Sequence, residues 1–426
     1  MKREEPAVIQ LASRVTEASA GTGKTTELVG SMIAILKGGA SVSGIVAVTF
    51  THAAAGEMKL RLRQELETHC NAEADLGIRD RLALALEHLE EAFVGTIHSF
   101  CAQLLRQRPV EAGIDPNFKE MSPIEASQLF SYIFRKWLGE RLSADPEALK
   151  RAYARLAWLA DKDEDPSKLL REQGWRLAEW RDMTKPWTLR SFDRKPETDS
   201  VLDKLIDLVE EWRSAAGTLT FVPGPLRPVI ELAERACLQR LTGCPDYDTW
   251  EAELHALLNR KPTPQDFRFL RDVEANRKKA IIQRFRGFVE VVRLYSERAD
   301  ADFAVRLRDE LWPVVEDYQA AKRRSGHLDF TDLLLAARDL MKNDDARKWL
   351  QKRYEHLFVD EFQDTDPLQV EMLLLLASSD SSEKDWRKVI PAPGKLRNSS
   401  SLATRSSRSI DFGARKCRSI GASASS

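Results

Sequence analysis

The sequence predicts an α/β chain with a parallel sheet, interrupted by a large all-helical segment. Three observations predict it. A glycine-bearing strand-to-helix turn opens the chain, and an apolar strand ending in paired carboxylates follows much later, at His356–Asp360; both features belong at the carboxyl edge of an open sheet. Around them short β-branched strands alternate with helices, which implies parallel pairing. Between them, from about residue 119 to 325, the pattern changes to long, charged, amphipathic helices rich in Trp and Arg.

In chain order, strands are expected at Arg14–Glu17, Ile45–Phe50 and Phe93–Ile97, and helices at Lys24–Leu36, Ala53–Glu67 and Arg79–Glu91. The helical segment is punctuated by Pro186, Pro223-Gly224-Pro225 and Pro262-Thr263-Pro264. The α/β pattern resumes with a helix from Phe330, the strand His356–Asp360 and a helix over Pro367–Ala377. Four stretches result: 1–118 with the glycine-bearing turn, 119–325 as a helical insertion, 326–396 with the carboxylate strand, and 397–426 as a Ser- and Arg-rich tail without periodicity. Internal repeats of about 20 to 50 residues are lacking, which argues against a solenoid.

At 426 residues and 43% apolar content the chain has material for two or three cores. No apolar run approaches the roughly 18 to 20 residues of a membrane span, and Met1-Lys2-Arg3-Glu4-Glu5 lacks the apolar stretch of a secretory signal. No membrane association and a cytoplasmic location are expected. Five scattered cysteines show neither zinc-ligand spacing nor a disulfide framework. With a formal net charge of −1, nucleic-acid binding requires a local groove rather than a global basic field.

The turn reads Ala18-Ser19-Ala20-Gly21-Thr22-Gly23-Lys24-Thr25, with Thr26 continuing into the helix. Small residues let backbone N–H groups approach phosphate oxygens, and the helix that follows turns its positive end toward them. Lys24 suits the β and γ phosphates of a nucleoside triphosphate, and the Thr25 hydroxyl suits Mg²⁺. Asp360 suits the same Mg²⁺ through water, and Glu361 the orientation of an attacking water. Taken alone, the turn has a ligand-free bend as its lesser alternative and Asp360-Glu361 reads equally as an acidic loop; the two in order make the nucleotide reading the stronger.

Phe358-Val359-Asp360-Glu361-Phe362-Gln363-Asp364-Thr365 resembles motif II of superfamily 1 helicases of the UvrD/Rep/RecB type. Thr49-Phe50-Thr51-His52-Ala53-Ala54-Ala55-Gly56-Glu57-Met58 resembles motif Ia of that family, Gly95-Thr96-Ile97-His98-Ser99-Phe100 resembles motif Ib, and Leu328-Asp329-Phe330-Thr331-Asp332-Leu333-Leu334 the segment before motif II. The glycine-bearing turn looks most like the RecB and AddA branch of helicase-nucleases. The resemblance covers most of residues 13–396.

It implies a RecA-like P-loop NTPase domain carrying a helical accessory insertion, and a 3′–5′ DNA helicase of repair and recombination. By motif, Thr49, Phe50 and Thr51 are implied to touch single-stranded DNA, His98 and Ser99 its backbone, and Gln363 the γ-phosphate. Hydroxyls and imidazole suit phosphates, and an aromatic stacks on a base. Phe50 is alternatively a core aromatic, and His98 a satisfied histidine at a helix start.

Implied partners are single-stranded and duplex-junction DNA and a RecC- or AddB-like second subunit. Basic clusters at Arg277-Lys278-Lys279 with Arg284 and Arg286, and at Lys322-Arg323-Arg324, either follow a duplex backbone or are solvated helix faces. Trp175, Trp180 and Trp212 read as core anchors rather than stacking platforms.

Two departures stand out. Gln10 lies closer to the phosphate loop than the adenine-contacting Gln of the Rep and UvrD branch, leaving adenine selectivity open. After Pro391-Ala392-Pro393-Gly394-Lys395-Leu396 the family continues with a strand and Gly-Asp-Pro-Lys-Gln-Ser-Ile-Tyr-Arg-Phe-Arg, which this chain lacks. Joining the last base of each codon to the first two of the next, from Asn398 onward, permits Phe-Phe-Ile-Val-Gly-Asp-Pro-Lys-Gln-Ser-Ile-Tyr-Arg-Phe-Arg-Arg-Ala. The expectation is a frameshift near Leu396–Asn398, real or from sequencing, with a disordered tail after it. A product so shifted is expected to lack a core strand, the second motor domain and any nuclease, to bind ATP and DNA without unwinding, and to be poorly soluble.

Overall fold

The computed structural model describes residues 14–15, 24–144, 147–159, 165–182, 192–216, 224–259, 263–360, 362 and 365–398. The chain divides into two compact units, residues 1–123 with 325–426, and residues 124–324.

The first unit contains β1 (Arg14–Val15), α1 (Lys24–Lys37), β2 (Ile45–Thr49), α2 (His52–Ala72), α3 (Leu76–Glu87), β3 (Phe93–Thr96), α4 (Ile97–Gln107), α5 (Pro109–Ala112) and β4 (Lys119–Glu120). The second runs through α6 (Pro123–Ala144), α7 (Glu147–Leu159), α8 (Pro166–Glu179), α9 (Arg194–Ala216), α10 (Arg227–Leu241), α11 (Tyr247–Leu257) and α12 (Ala275–Ser325). The chain then returns to the first unit with β5 (His327–Leu328), α13 (Phe330–Met341), α14 (Asp344–Arg353), β6 (His356–Val359), α15 (Pro367–Ala377) and β7 (Leu396–Asn398).

The sheet of the first unit has the order β1-β7-β6-β2-β3, and each of its pairings is parallel. Side chains alternate across its faces with the period of two that a pleated strand imposes. Ile45, Ala47 and Phe358 pack with Leu28, Val29 and Met32 of α1, Met58 and Leu62 of α2, and Leu82 of α3. Val46, Val48, Leu357 and Val359 pack on the opposite side with Phe100 of α4, Leu333 of α13, Leu350 of α14 and Leu373 of α15. Register agrees with that partition, since Val46 faces Leu357 and Ala47 faces Phe358. Because both faces are covered, β2 is apolar from Ile45 to Val48, as parallel strands are.

Several sequence-based boundaries move, some for local reasons. The helix expected at Arg79–Glu91 begins at Leu76, because the Asp75 carboxylate accepts the Ile78 N–H at 3.0 Å; it ends at Glu87 before a 3₁₀ turn over Leu89–Glu91. β2 stops at Thr49 and β3 at Thr96, one residue short of each expected end. In the second case Thr96 caps α4, so Ile97 is already helical.

The expectation of a missing core strand is corrected. Gly394, at φ +72°, turns the chain so that Leu396–Asn398 run between β6 and β1, with Leu357 opposite Leu396 and Val15 opposite Asn398. The Leu357 N–H donates to Lys395 O at 2.7 Å and Leu396 is buried. Arg397 and Asn398, read from the sequence as the start of the tail, are thus strand residues; residues 399–426 lie outside the described set.

The second unit is organised on α12, whose 51 residues extend for ~75 Å at 1.5 Å each. Ile281, Phe285, Phe288, Val292, Tyr295 and Ala299 form a seam at alternating spacings of four and three, and they pack on α9, α10 and α11 around Trp212 and Trp250. Further along, Leu311, Val314, Val315 and Tyr318 pack with Phe130, Phe134, Trp137, Leu149 and Leu170 of α6, α7 and α8.

Asp302 falls on the seam between these cores and is buried as a carboxylate. It accepts Arg151 Nη1 at 2.6 Å and Arg306 Nε at 3.0 Å. Buried Glu251 accepts Arg151 Nε at 2.8 Å, Arg155 Nε at 2.9 Å and Arg194 Nε at 2.7 Å. Such groups are tolerated away from water only with their bonds complete.

Candidate functional site

Parallel strands open their carboxyl ends along one edge, and the described site residues gather there. After β1 the chain re-enters the described set at Lys24, which opens α1; Thr25 and Thr26 occupy its first turn, half-buried and exposed. Asp360 directly follows β6, and its N–H donates to Val48 O at 2.9 Å, extending the ladder one residue past the strand. One strand, β7, separates β1 from β6, which sets their axes ~10 Å apart. A helix N-terminus and a carboxylate across such a gap suit a phosphate group and a divalent cation between them. Ala18, Ser19, Ala20, Gly21, Thr22, Gly23, Glu361 and Gln363 lie outside the described residues.

The loop after β2 is pinned from both ends. Thr49 is buried, and its hydroxyl donates to Thr51 O at 2.9 Å. Thr51 in turn caps α2, its Oγ1 accepting the Ala54 N–H at 3.1 Å. Between them Phe50 is 66% exposed. That excludes Phe50 as a core aromatic. Thr49, by contrast, is buried and shapes the loop from beneath.

The neighbouring strand end has the same construction. Thr96 caps α4, accepting the Ser99 N–H at 3.3 Å and lying 2.9 Å from the Ser99 hydroxyl. In the first turn of α4, His98 stacks on Phe330 with ring centroids 4.4 Å apart and planes 24° from parallel. Burial lowers the His98 pKa below its ordinary 6.5; nearby His52 adds to this and Glu120 partly opposes it. The imidazole is therefore neutral at pH 7, able to hydrogen-bond a phosphate but carrying no charge to it.

Phe330 has no assigned role in the sequence reading. Asp329 forms a capping box with Asp332, their bonds measuring 2.8 and 3.1 Å, and this fixes Phe330 as the first residue of α13, where it remains 39% exposed. The signal is present in Asp329-Phe330-Thr331-Asp332: a cap followed by an aromatic where side chains have no preceding turn to pack on.

In the helical unit Lys322 is corrected as a backbone-following cation: it is buried, with Nζ 4.3 Å from the Tyr318 ring centroid. Arg284 is ion-paired with Glu211 at 3.0 Å, whereas Arg277, Lys279, Arg286, Arg323 and Arg324 are exposed. Trp212 is a core anchor amid Phe267, Phe269 and Phe285, and Trp175 packs edge-on to Phe130. Trp180 is half-buried. Among the described residues, no group of three or more His, Cys, Asp or Glu is arranged to hold a metal, and no helix is long and apolar enough to cross a membrane.

Comparison with known proteins adds an independent line. The profile of the UvrD/REP helicase N-terminal domain matches residues 2–383. An ATP-dependent helicase/nuclease subunit of Listeria welshimeri is 27% identical over 413 residues, covering 86% of this chain and 32% of the relative. Proteins of the same name from Pediococcus pentosaceus and Streptococcus suis are 24% and 26% identical, covering 86% and 85% of this chain and 32% of each relative. The chain spans about a third of the length of the curated relatives it matches. With a single family profile matching most of its length, this chain belongs to the UvrD/REP helicase N-terminal domain family.

Proposed function

We propose that this chain forms the ATP- and single-stranded-DNA-binding part of an ATP-dependent 3′–5′ DNA helicase of repair and recombination, working in the cytoplasm with a RecC- or AddB-like second subunit. The observation that carries the reading is the shared carboxyl edge: the start of α1 and Asp360 lie along it with the pinned Phe50 loop and the His98–Phe330 stack. In this reading the first unit is a RecA-like motor domain and the second its helical insertion.

The backbone of Ala18–Gly23 cradles the triphosphate, Lys24 neutralises its β and γ oxygens, and Thr26 closes the first turn of α1 beside them. Thr25 and Asp360 hold Mg²⁺, which when bound withdraws charge from those oxygens. Glu361 orients the attacking water by accepting one of its protons, and Gln363 reports the γ-phosphate to the DNA-facing loops. On the DNA side Phe50 stacks on a base, Thr51 holds the loop, and His98, Ser99 and Phe330 form the adjoining surface.

The test is ATP hydrolysis with and without a single-stranded oligonucleotide, in the wild type and in Glu361→Gln. Stimulated turnover in the wild type and its loss in the variant support the motor reading. Nucleotide binding without turnover marks a non-motor ATP- and DNA-binding module instead. An ATPase indifferent to single-stranded DNA refutes the DNA assignment.

A further inference from the structure

Among the described residues, a polar side-chain contact joins α2 to the first turn of α1 beside this edge. Arg61, on the third turn of α2, donates Nη1 to Thr26 Oγ1 in the first turn of α1 at 3.1 Å. Its Nη2 donates to Glu57 Oε1 at 2.8 Å, one turn back on its own helix, so the guanidinium plane is held between two partners. The adjoining face of α2 is packed: Met58, Leu62 and Leu66 are buried in one core with Leu28, Val29 and Met32 of α1. The N-cap of that same rigid helix is Thr51, next to Phe50, ~15 Å from Arg61 along the axis. α2 thus joins the Phe50 loop at its N-terminus to the first turn of α1 at Arg61.

We infer that Arg61 is a positioning residue through which the Phe50–Thr51 loop and the Thr26 turn sense one another, so that single-stranded DNA and Mg·ATP bind interdependently. The inference rests on the function proposed above. Arg61 contacts neither ligand; it sets where the first turn of α1 sits. Glu57 supports it by orienting the guanidinium. Coupling of this kind is reciprocal, so it is readable from either ligand.

The experiment titrates a fluorescent ATP analogue with Mg²⁺ into the full chain, with and without saturating thymidine oligonucleotide, and takes the ratio of the two dissociation constants. The wild type is expected to give a ratio different from one. Arg61→Gln and Thr26→Val each bring it closer to one by about 2- to 5-fold, the scale of a solvent-facing charged contact. Arg61→Lys, which keeps a donor, retains most of the ratio. The double variant Arg61→Gln/Thr26→Val goes no further than either single change, a non-additivity that general loosening does not produce.

A wild-type ratio of one with both ligands bound overturns the inference, as do variants that keep the wild-type ratio or a double variant that sums the singles. Each of those results leaves the proposed function standing. A wild type that binds neither ligand overturns both.

Discussion

Replacing Phe50 with Ala separates a base-stacking surface from a core residue. Phe50 is 66% exposed and sits on a loop held by Thr49 and Thr51, whose bonds do not involve its side chain. Truncation thus removes little buried area, and folding stability is expected to change by no more than about 0.5 kcal/mol. One aromatic face stacked on one base contributes about 1–3 kcal/mol. Affinity for single-stranded DNA therefore falls by about 5- to 150-fold.

Anisotropy of a labelled thymidine oligonucleotide measures this, repeated over a series of salt concentrations because phosphate contacts dominate the salt dependence. The slope of log K against log salt is expected to stay at its wild-type value while the whole line drops, and Phe50→Trp to recover the loss. Unchanged affinity in a normally melting Phe50→Ala variant refutes the stacking argument. A large drop in Tm refutes the exposed placement.

Three further outcomes follow from the geometry. Burial pushes the Glu251 carboxyl up, but Arg155, Arg151 and Arg194 more than offset it and hold its pKa below the ordinary 4.5. Its contribution is thus fully present above the ordinary value of about 4.5 and lost as pH falls through the lower folded value; Glu251→Gln is expected to cost about 3–5 kcal/mol in denaturant melts at pH 7, and the gap to narrow on acidification. For His98, NMR titration is expected to give a midpoint below 6.5, and since the fold prefers the neutral ring, stability is whole above that pH and erodes below it. His98→Phe is expected to remove this pH dependence in chemical melts. Thr51→Val deletes the acceptor for the Ala54 N–H, and a loss of about 0.5–2 kcal/mol in the melt is expected.

Much of the first unit is legible in the sequence because its signals are local. Ile45–Val48 is an uninterrupted apolar run with buried residues on both faces, and the carboxylate after His356–Val359 marks where that strand leaves the sheet. What the sequence hides is partnership at a distance. Arg151, Arg155 and Arg194 look like solvated helix charges until folding brings Glu251 and Asp302 to them.

Periodicity is available for Lys322: it follows Val315 and Tyr318 at helical spacing and so lies on the buried stripe, yet its neighbours Arg323 and Arg324 make the trio read as one basic face. Asp75 shows a cap setting a helix start three residues before the expected one. β7 is hidden for another reason. Only three residues long, it carries little signal of its own and is fixed by the Gly394 turn and by its neighbours β6 and β1.

The most direct test of a shared nucleotide- and DNA-binding edge is calorimetric titration of a non-hydrolysable Mg·ATP analogue and, separately, of a thymidine oligonucleotide into the wild type, Lys24→Ala and Phe50→Ala. The wild type is expected to bind both, Lys24→Ala to lose the nucleotide and keep the DNA, and Phe50→Ala to weaken the DNA and keep the nucleotide. A wild type that binds no nucleotide, or a Lys24→Ala variant that binds it as well as the wild type does, contradicts that assignment.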